Sequence, residues 1–233
     1  MDFRDRHIVV TGGTGALGSA VVGALLQAGA SCHVPCLVEA ETQGFPHRSH
    51  PRVRLIATGT LADEAAVAHL FDTVPNLWAS IHLVGGFAFG PVSETDKTVL
   101  MQQIEMNLVT CFLCCRAAVR SITRGKAGGR IVNVASRPGL EWRTGAGVAA
   151  YAASKAAVAA LTTALAEEVA KDGILVNAVA PSIMDTPVNR EAMPKADYAA
   201  WPKVEEVAGA ILFLASPDNK VTRGTIATVY GRA

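Results

Sequence analysis

Charge of one sign is what this sequence most plainly lacks. Its 21 Lys and Arg stand against 20 Asp and Glu in 233 residues, and the two signs are scattered rather than blocked. That balance offers no electrostatic footprint for nucleic acid or for an anionic membrane, so neither partner is expected. A long uninterrupted apolar run is also missing. The Ala-rich stretch 148–170 contains Lys155, Glu167 and Glu168, which argues against a membrane span. The first residues carry Asp2, Arg4, Asp5 and Arg6, where a secretory leader needs an apolar core. A cytoplasmic location is the expectation.

Cysteine is scarce and odd in number, at five, so a disulfide framework is not expected. Cys111, Cys114 and Cys115 share the i, i+3, i+4 face of an expected helix. They read as buried or interface packing, because a free cysteine behaves as a small hydrophobe. No second Cys/His pair at ligand spacing is evident, and no metal is expected.

What the chain does have is apolar bulk. Half of its residues are hydrophobic, enough for a substantial core in one domain spanning 1–233. Short β-branched runs near 7–11, 30–36, 52–57, 80–84, 129–135, 173–179 and 225–229 alternate with helical segments near 16–28, 62–73, 95–122, 149–171 and 204–215. Strands that are apolar throughout, separated by helices, predict an α/β fold: a doubly wound parallel sheet of about seven strands covered on both faces. Two segments read as loops, 38–51 and the proline-rich 181–203. Ligands of open α/β sheets bind beyond the carboxyl ends of the strands, so 181–203 is the expected substrate cover.

The first strand runs into Thr11-Gly12-Gly13-Thr14-Gly15-Ala16-Leu17-Gly18 and then an apolar helix. Glycines there permit a tight turn and a close approach of backbone to a pyrophosphate, which the free N–H groups and dipole of the helix start would stabilise. This context favours dinucleotide binding over an ordinary βα turn. The acidic ribose anchor expected about 20 residues on is harder to place: the second strand ends near Cys36, with Glu39 and Glu41 slightly beyond.

Further along come Leu83-Val84-Gly85-Gly86, then Asn107, then Arg130-Ile-Val-Asn-Val-Ala-Ser136, and finally Tyr151-Ala-Ala-Ser-Lys155. Residues four apart on a helix share a face, so Tyr151 and Lys155 can reach one site. A phenol with a reference pKa of about 10 is a poor acid–base group at neutral pH unless a nearby cation favours its anion. Lys155 can supply that charge.

In this order and over essentially the whole chain, the motifs resemble the short-chain dehydrogenase/reductase family. The resemblance implies hydride transfer between a carbonyl/alcohol pair and NAD(H) or NADP(H), the preference being undetermined. It casts Tyr151 as the proton-transferring residue, Lys155 as its partner, Ser136 as the hydroxyl that orients the carbonyl, and Asn107 as support for a relay water. Cofactor contacts are implied for Gly12, Thr14, Gly15, Ala16, Leu17, Gly18, Gly85, Gly86, Tyr151, Lys155, Pro181, Ile183 and Thr186. Ser136 also fits a strand-end cap, and Asn107 a group that merely satisfies backbone.

The interval from Ser136 to Tyr151 is longer than the family's, which implies an enlarged 137–150 loop. Ala16, Thr60 and Ser182 stand where family members carry glycine, aspartate and glycine. Three stretches, 15–19, 84–87 and 185–201, are similar to those of the dihydropteridine reductases, which makes quinonoid dihydropterin reduction an alternative. A cofactor-binding sensor or scaffold without turnover is another. The family also implies a homodimer or homotetramer, packed through helices 95–122 and 149–171. Phe87, Phe89, Pro138, Trp142 and the 183–201 segment are expected to line a mostly apolar pocket for a small-molecule substrate.

Overall fold

The computed structural model describes residues 1–232. Seven strands form where the apolar runs lie: β1 His7–Thr11, β2 Ser31–Cys36, β3 Val53–Ala57, β4 Leu77–His82, β5 Gly129–Val134, β6 Ile174–Pro181 and β7 Ile226–Val229. All neighbours pair in parallel, in the order β3-β2-β1-β4-β5-β6-β7. The helices are α1 Ala16–Gln27, α2 Glu64–Asp72, α3 Lys97–Ile104, α4 Thr110–Gly125, α5 Arg137–Leu140, α6 Ala149–Glu168, α7 Pro187–Ala192 and α8 Val204–Ala215. One apolar core joins α1 and α8 to one face of the sheet, and a second joins α2, α4 and α6 to the other. Burial on both faces is the reason the central strands carry no polar alternation.

Sequence and structure differ at four places. β4 starts at Leu77 rather than near 80, because Trp78 is held inside: its Nε1 donates to Ala215 O at 3.0 Å, and the Arg6 guanidinium lies 4.0 Å from the ring centroid. β4 also stops at His82, where the next residue's N–H turns aside to Thr11 O and Oγ1. The expected helix 95–122 starts at Lys97 under an Asp96 cap and is interrupted by a π-helical turn, Glu105–Val109. The 137–150 and 181–203 segments are not open loops: α5 and a 3₁₀ turn at Trp142–Gly145 fill the first, and α7 with a turn at Tyr198–Ala200 the second.

Two helical stretches, Lys97–Gly125 and Ala149–Glu168, are long and apolar enough by length and composition to cross a membrane. Each nevertheless packs one side on the protein's own core, and α6 buries Lys155 and Thr162 there. The strand order reverses direction at β1, between β2 and β4. That switch point opens a crevice past the carboxyl ends of the strands, and the site lies there.

Candidate functional site

The turn from β1 into α1 is built by close approach. Gly12 holds φ +65°, and a Cβ on Gly18 would lie 2.1 Å from Gly12 O. Only glycine lets the helix start press onto the turn in this way. Gly15 caps α1 without a side-chain hydrogen bond, and no acidic residue occupies the first turn. The N–H groups of Ala16, Leu17 and Gly18 therefore remain available to an anion, with Gly15 and Ala16 exposed and Leu17 anchored in the core. Thr14 is half-buried, and its carbonyl accepts from Ser19 Oγ at 3.5 Å. This cradle fits the pyrophosphate of a dinucleotide.

Beyond β2 the chain changes character. Cys36 is buried, while Leu37 and Val38 are exposed. The Glu41 carboxylate folds back from a 3₁₀ turn at Glu39–Thr42 and accepts from Leu37 N–H at 3.2 Å. No lysine or arginine occurs from 37 to 46. Arg52 is turned away, donating to Leu26 O and Gly29 O at the far end of α1. Thr60 uses its hydroxyl within its own turn, accepting from Ala62 N at 3.2 Å.

Three elements bring the reacting groups together. Ser136 follows β5 and caps α5, its Oγ accepting from Gly139 N–H at 3.2 Å. Its hydroxyl also acts on the Tyr151 phenol, favouring the phenolate. Of the two readings of Ser136, the cap is the one this geometry displays. Tyr151 and Lys155 rise from the first turns of α6, and Lys155 Nζ donates to Val134 O at 2.9 Å. The edge of the Tyr151 ring packs against Phe87, with centroids 5.0 Å apart.

Gly85 and Gly86 close the floor. A Cβ on Gly85 would lie 2.6 Å from Asn107 Oδ1 and 3.1 Å from Lys155 Nζ; one on Gly86 would meet Met106 Cε at 2.6 Å. Asn107, on the π-helical turn, clamps this floor. Its Oδ1 accepts from Gly86 N–H at 2.9 Å, and its Nδ2 donates to Gly86 O and Ser154 Oγ, both at 3.0 Å. The amide is thus occupied by protein partners and acts as a brace.

The model of the short chain dehydrogenase family matches residues 6–197. The chain belongs to that family. It is 33% identical to cis-4-hydroxycyclohexanecarboxylate dehydrogenase of Sinomonas cyclohexanicum, over 98% of this chain and 96% of the relative. It is 34% identical to galactitol 2-dehydrogenase of Rhizobium johnstonii, over 96% and 93%. Among solved structures, ElxO with NADP bound superposes with a TM-score of 0.88 at 23% identity, covering 97% of each chain. Like the family as a whole, this short-chain dehydrogenase is an NAD(P)-dependent oxidoreductase.

Electrostatics at the dehydrogenase site depart from the sequence reading in one respect. Burial pushes the Tyr151 phenol above its ordinary value, and the Ser136 hydroxyl offsets this in part. Lys155 donates to the Val134 carbonyl, and desolvation lowers its own pKa to about 8. The phenol therefore stands protonated across the neutral range.

The remaining expected residues lie around the crevice. Pro181 ends β6, and Ser182 ties that end to the last strand through Tyr230 O at 2.8 Å. Ile183 is partly exposed. Thr186 is buried as the N-cap of α7, its Oγ1 accepting from Asn189 N–H at 3.3 Å. Phe87, Phe89 and Trp142 are exposed by 63%, 77% and 77%, an unusual concentration of bare aromatic surface beside Tyr151. Pro138 sits behind them, against Gly145.

The segment after Ile183 folds on itself: Arg190 pairs with Asp185 at 2.6 Å and lies over the Tyr198 ring, which tilts against Trp201. A cavity of about 620 Å³ bounded by Asp185, Arg190, Trp201, Lys203 and Arg232 lies beside it. Sequence reasoning gave Ser154 and Gly139 no structural role of their own. Ser154 relays Asn107 to Tyr151 O at 2.7 Å, and a Cβ on Gly139 would strike the Lys155 backbone at 2.8 Å. Their only sequence signal was membership of the Ser136 and Tyr151 motifs.

Proposed function

We propose that this protein interconverts a small, mostly apolar ketone or aldehyde and its alcohol, with Tyr151 as the proton donor and acceptor. The observation that carries the reading is the convergence of the Tyr151 phenol, the Ser136 hydroxyl and the Lys155 ammonium above the Gly85–Gly86 floor, at the end of a pyrophosphate cradle. In the direction of reduction, a carbonyl oxygen receives hydrogen bonds from the Ser136 and Tyr151 hydroxyls, and the phenol proton passes to it as negative charge develops. A bound nicotinamide supplies the hydride, or accepts it in the reverse direction. Lys155 would hold a positive charge near the resulting phenolate. Asn107 and Ser154 fix the geometry.

The exposed ring surfaces of Phe87, Phe89 and Trp142 favour a ring-bearing or otherwise apolar substrate, with the 181–203 segment as its cover. Both relatives are named as dehydrogenases of hydroxyl-bearing compounds, which supports the alcohol/carbonyl assignment. We assign the cofactor as NAD(H). Glu41 places a carboxylate one residue beyond β2, suited to a ribose 2′-hydroxyl and hostile to a 2′-phosphate, and no lysine or arginine lies within residues 37–46. The exposed apolar residues Leu100, Met101, Met106 and Phe112 on the α3–α4 stretch support a homodimer or homotetramer. The chain works as one domain, in a reducing cytoplasm suited to its five free thiols.

The test is titration with NADH and NADPH, followed by turnover on a panel of cyclic and aromatic ketones, small aldehydes and quinonoid dihydropterin. Tighter NADH binding with ketone turnover supports the proposal. The Glu41→Ala variant is expected to lose about 10-fold or more of that preference, as for a charged hydrogen bond of about 1.5–3 kcal/mol. Turnover of the dihydropterin alone, or preference for NADPH, contradicts it.

A further inference from the structure

A second cluster of chemically capable side chains lies in the core, between β4, β5 and α4. His82 ends β4, Cys111 and Cys115 occupy successive turns of α4, and Asn133 lies on β5. All four are buried, with at most 5% exposure. One ligand atom from each of His82, Cys111 and Cys115 falls within 4.8 Å of the others. Cys115 Sγ is 3.6 Å from His82 Nδ1 and 3.5 Å from Asn133 Oδ1. A tetrahedral zinc ion, with Zn–S about 2.3 Å and Zn–N about 2.0–2.1 Å, sets its S···N edge at about 3.6 Å. The observed edge has that length.

The surroundings orient the donors. Ser80 Oγ meets His82 Nε2 at 2.8 Å, and Asn133 Nδ2 donates to Thr162 Oγ1 at 2.9 Å. His82 Nδ1 and Asn133 Oδ1 are thereby turned toward the thiols, the arrangement by which an outer shell fixes metal ligands. Cys114, between the two thiols in sequence, packs in the same apolar core but contributes no donor to the group. All three cysteines pack in that core, as expected from the sequence; Cys111 and Cys115 in addition present their sulfurs to His82.

We propose that His82, Cys111 and Cys115, with Asn133 Oδ1 as fourth donor, form a structural site for a thiophilic divalent cation, zinc above all. Charge favours it: two thiolates neutralise the ion, so the occupied site carries no net charge into the core. The balance is closed. Two S–H bonds break, two metal–sulfur bonds form and two protons leave to solvent. The His82 Nδ1 proton, which Asn133 Oδ1 accepts at 2.8 Å, moves to Nε2 and is donated to Ser80. No atom changes oxidation state. Because its ligands face the core, the ion loads as the chain folds, and occupancy falls in acid as the thiolates are protonated.

The experiment is refolding of the full reduced chain with cobalt(II) as the probe, followed by absorption spectroscopy. One equivalent is expected to give visible tetrahedral d–d bands and a thiolate charge-transfer band. These persist in Cys114→Ser and vanish in the Cys111→Ser/Cys115→Ser double variant, while Ser80→Ala weakens binding about 10–100-fold. X-ray absorption of the zinc-loaded wild-type chain serves where the double variant does not fold, and should show two sulfur ligands. Absence of the bands, bands that survive in the double variant, or a zinc shell of oxygen and nitrogen alone overturns the proposal.

Discussion

Lys155 keeps its charge where burial opposes it. Its pKa falls from 10.5 to about 8, and the Val134 carbonyl is its single hydrogen-bond acceptor among the described residues. Below about pH 8 the folded and unfolded chains both carry the charge, and the folded state bears the full desolvation penalty. Between about 8 and 10.5 the unfolded chain binds more protons, so this residue's contribution to stability improves as pH rises. The Lys155→Met variant is therefore expected to unfold at a higher temperature than the wild type, by the equivalent of about 1–3 kcal/mol at neutral pH, and to lose turnover. Calorimetry across pH checks the sign: the gain should shrink above pH 8.

Tyr151 makes a complementary forecast. Its phenol is held protonated by burial, the form that reduction consumes and oxidation must first deprotonate. The kcat/KM for ketone reduction should be flat through neutral pH and fall in alkali, whereas that for alcohol oxidation should climb as pH rises. A pH profile in both directions decides the matter.

At the scale of elements, the site depends on glycines that let backbones touch. Gly139 presses α5 onto α6 at Lys155, where an added Cβ would meet backbone at 2.8 Å and 3.0 Å. Gly139→Ala is expected to cost about 1–3 kcal/mol and to lower activity by shifting the lysine. Gly209, inside α8 with open space around its Cβ position, should behave oppositely, Gly209→Ala adding about 0.5–1 kcal/mol. Chemical denaturation of the two variants distinguishes a packing glycine from an idle one.

The glycine turn and the Tyr151–Lys155 pair were legible in the sequence because both are local patterns: a strand–turn–helix and an i, i+4 spacing. The π-helical turn was not, since Asn107 is set by its clamp on Gly86, 21 residues away. Nor was the start of β4, fixed by Trp78 reaching Ala215. His82 stood unremarked because its companions come from two other elements. Glu41 sat near the expected acidic position, but its direction depended on a turn that no periodicity reveals.

For the whole molecule, the parallel sheet explains why these groups meet. Each strand delivers its following turn to the same edge: β1 the anion cradle, β4 the glycine floor, β5 Ser136, and β6 the Pro181–Thr186 segment. The α3–α4 and α6 helices, apolar on faces the monomer leaves bare, are expected to pair between copies, and sedimentation at micromolar concentration should show a dimer or tetramer.

The central claim is that Tyr151 moves the proton that accompanies hydride transfer. It is tested most directly by comparing NADH binding and ketone turnover in wild type and Tyr151→Phe. The account expects unchanged NADH affinity with turnover reduced about 10²–10⁴-fold. Wild-type turnover in a folded, cofactor-binding Tyr151→Phe protein would contradict it.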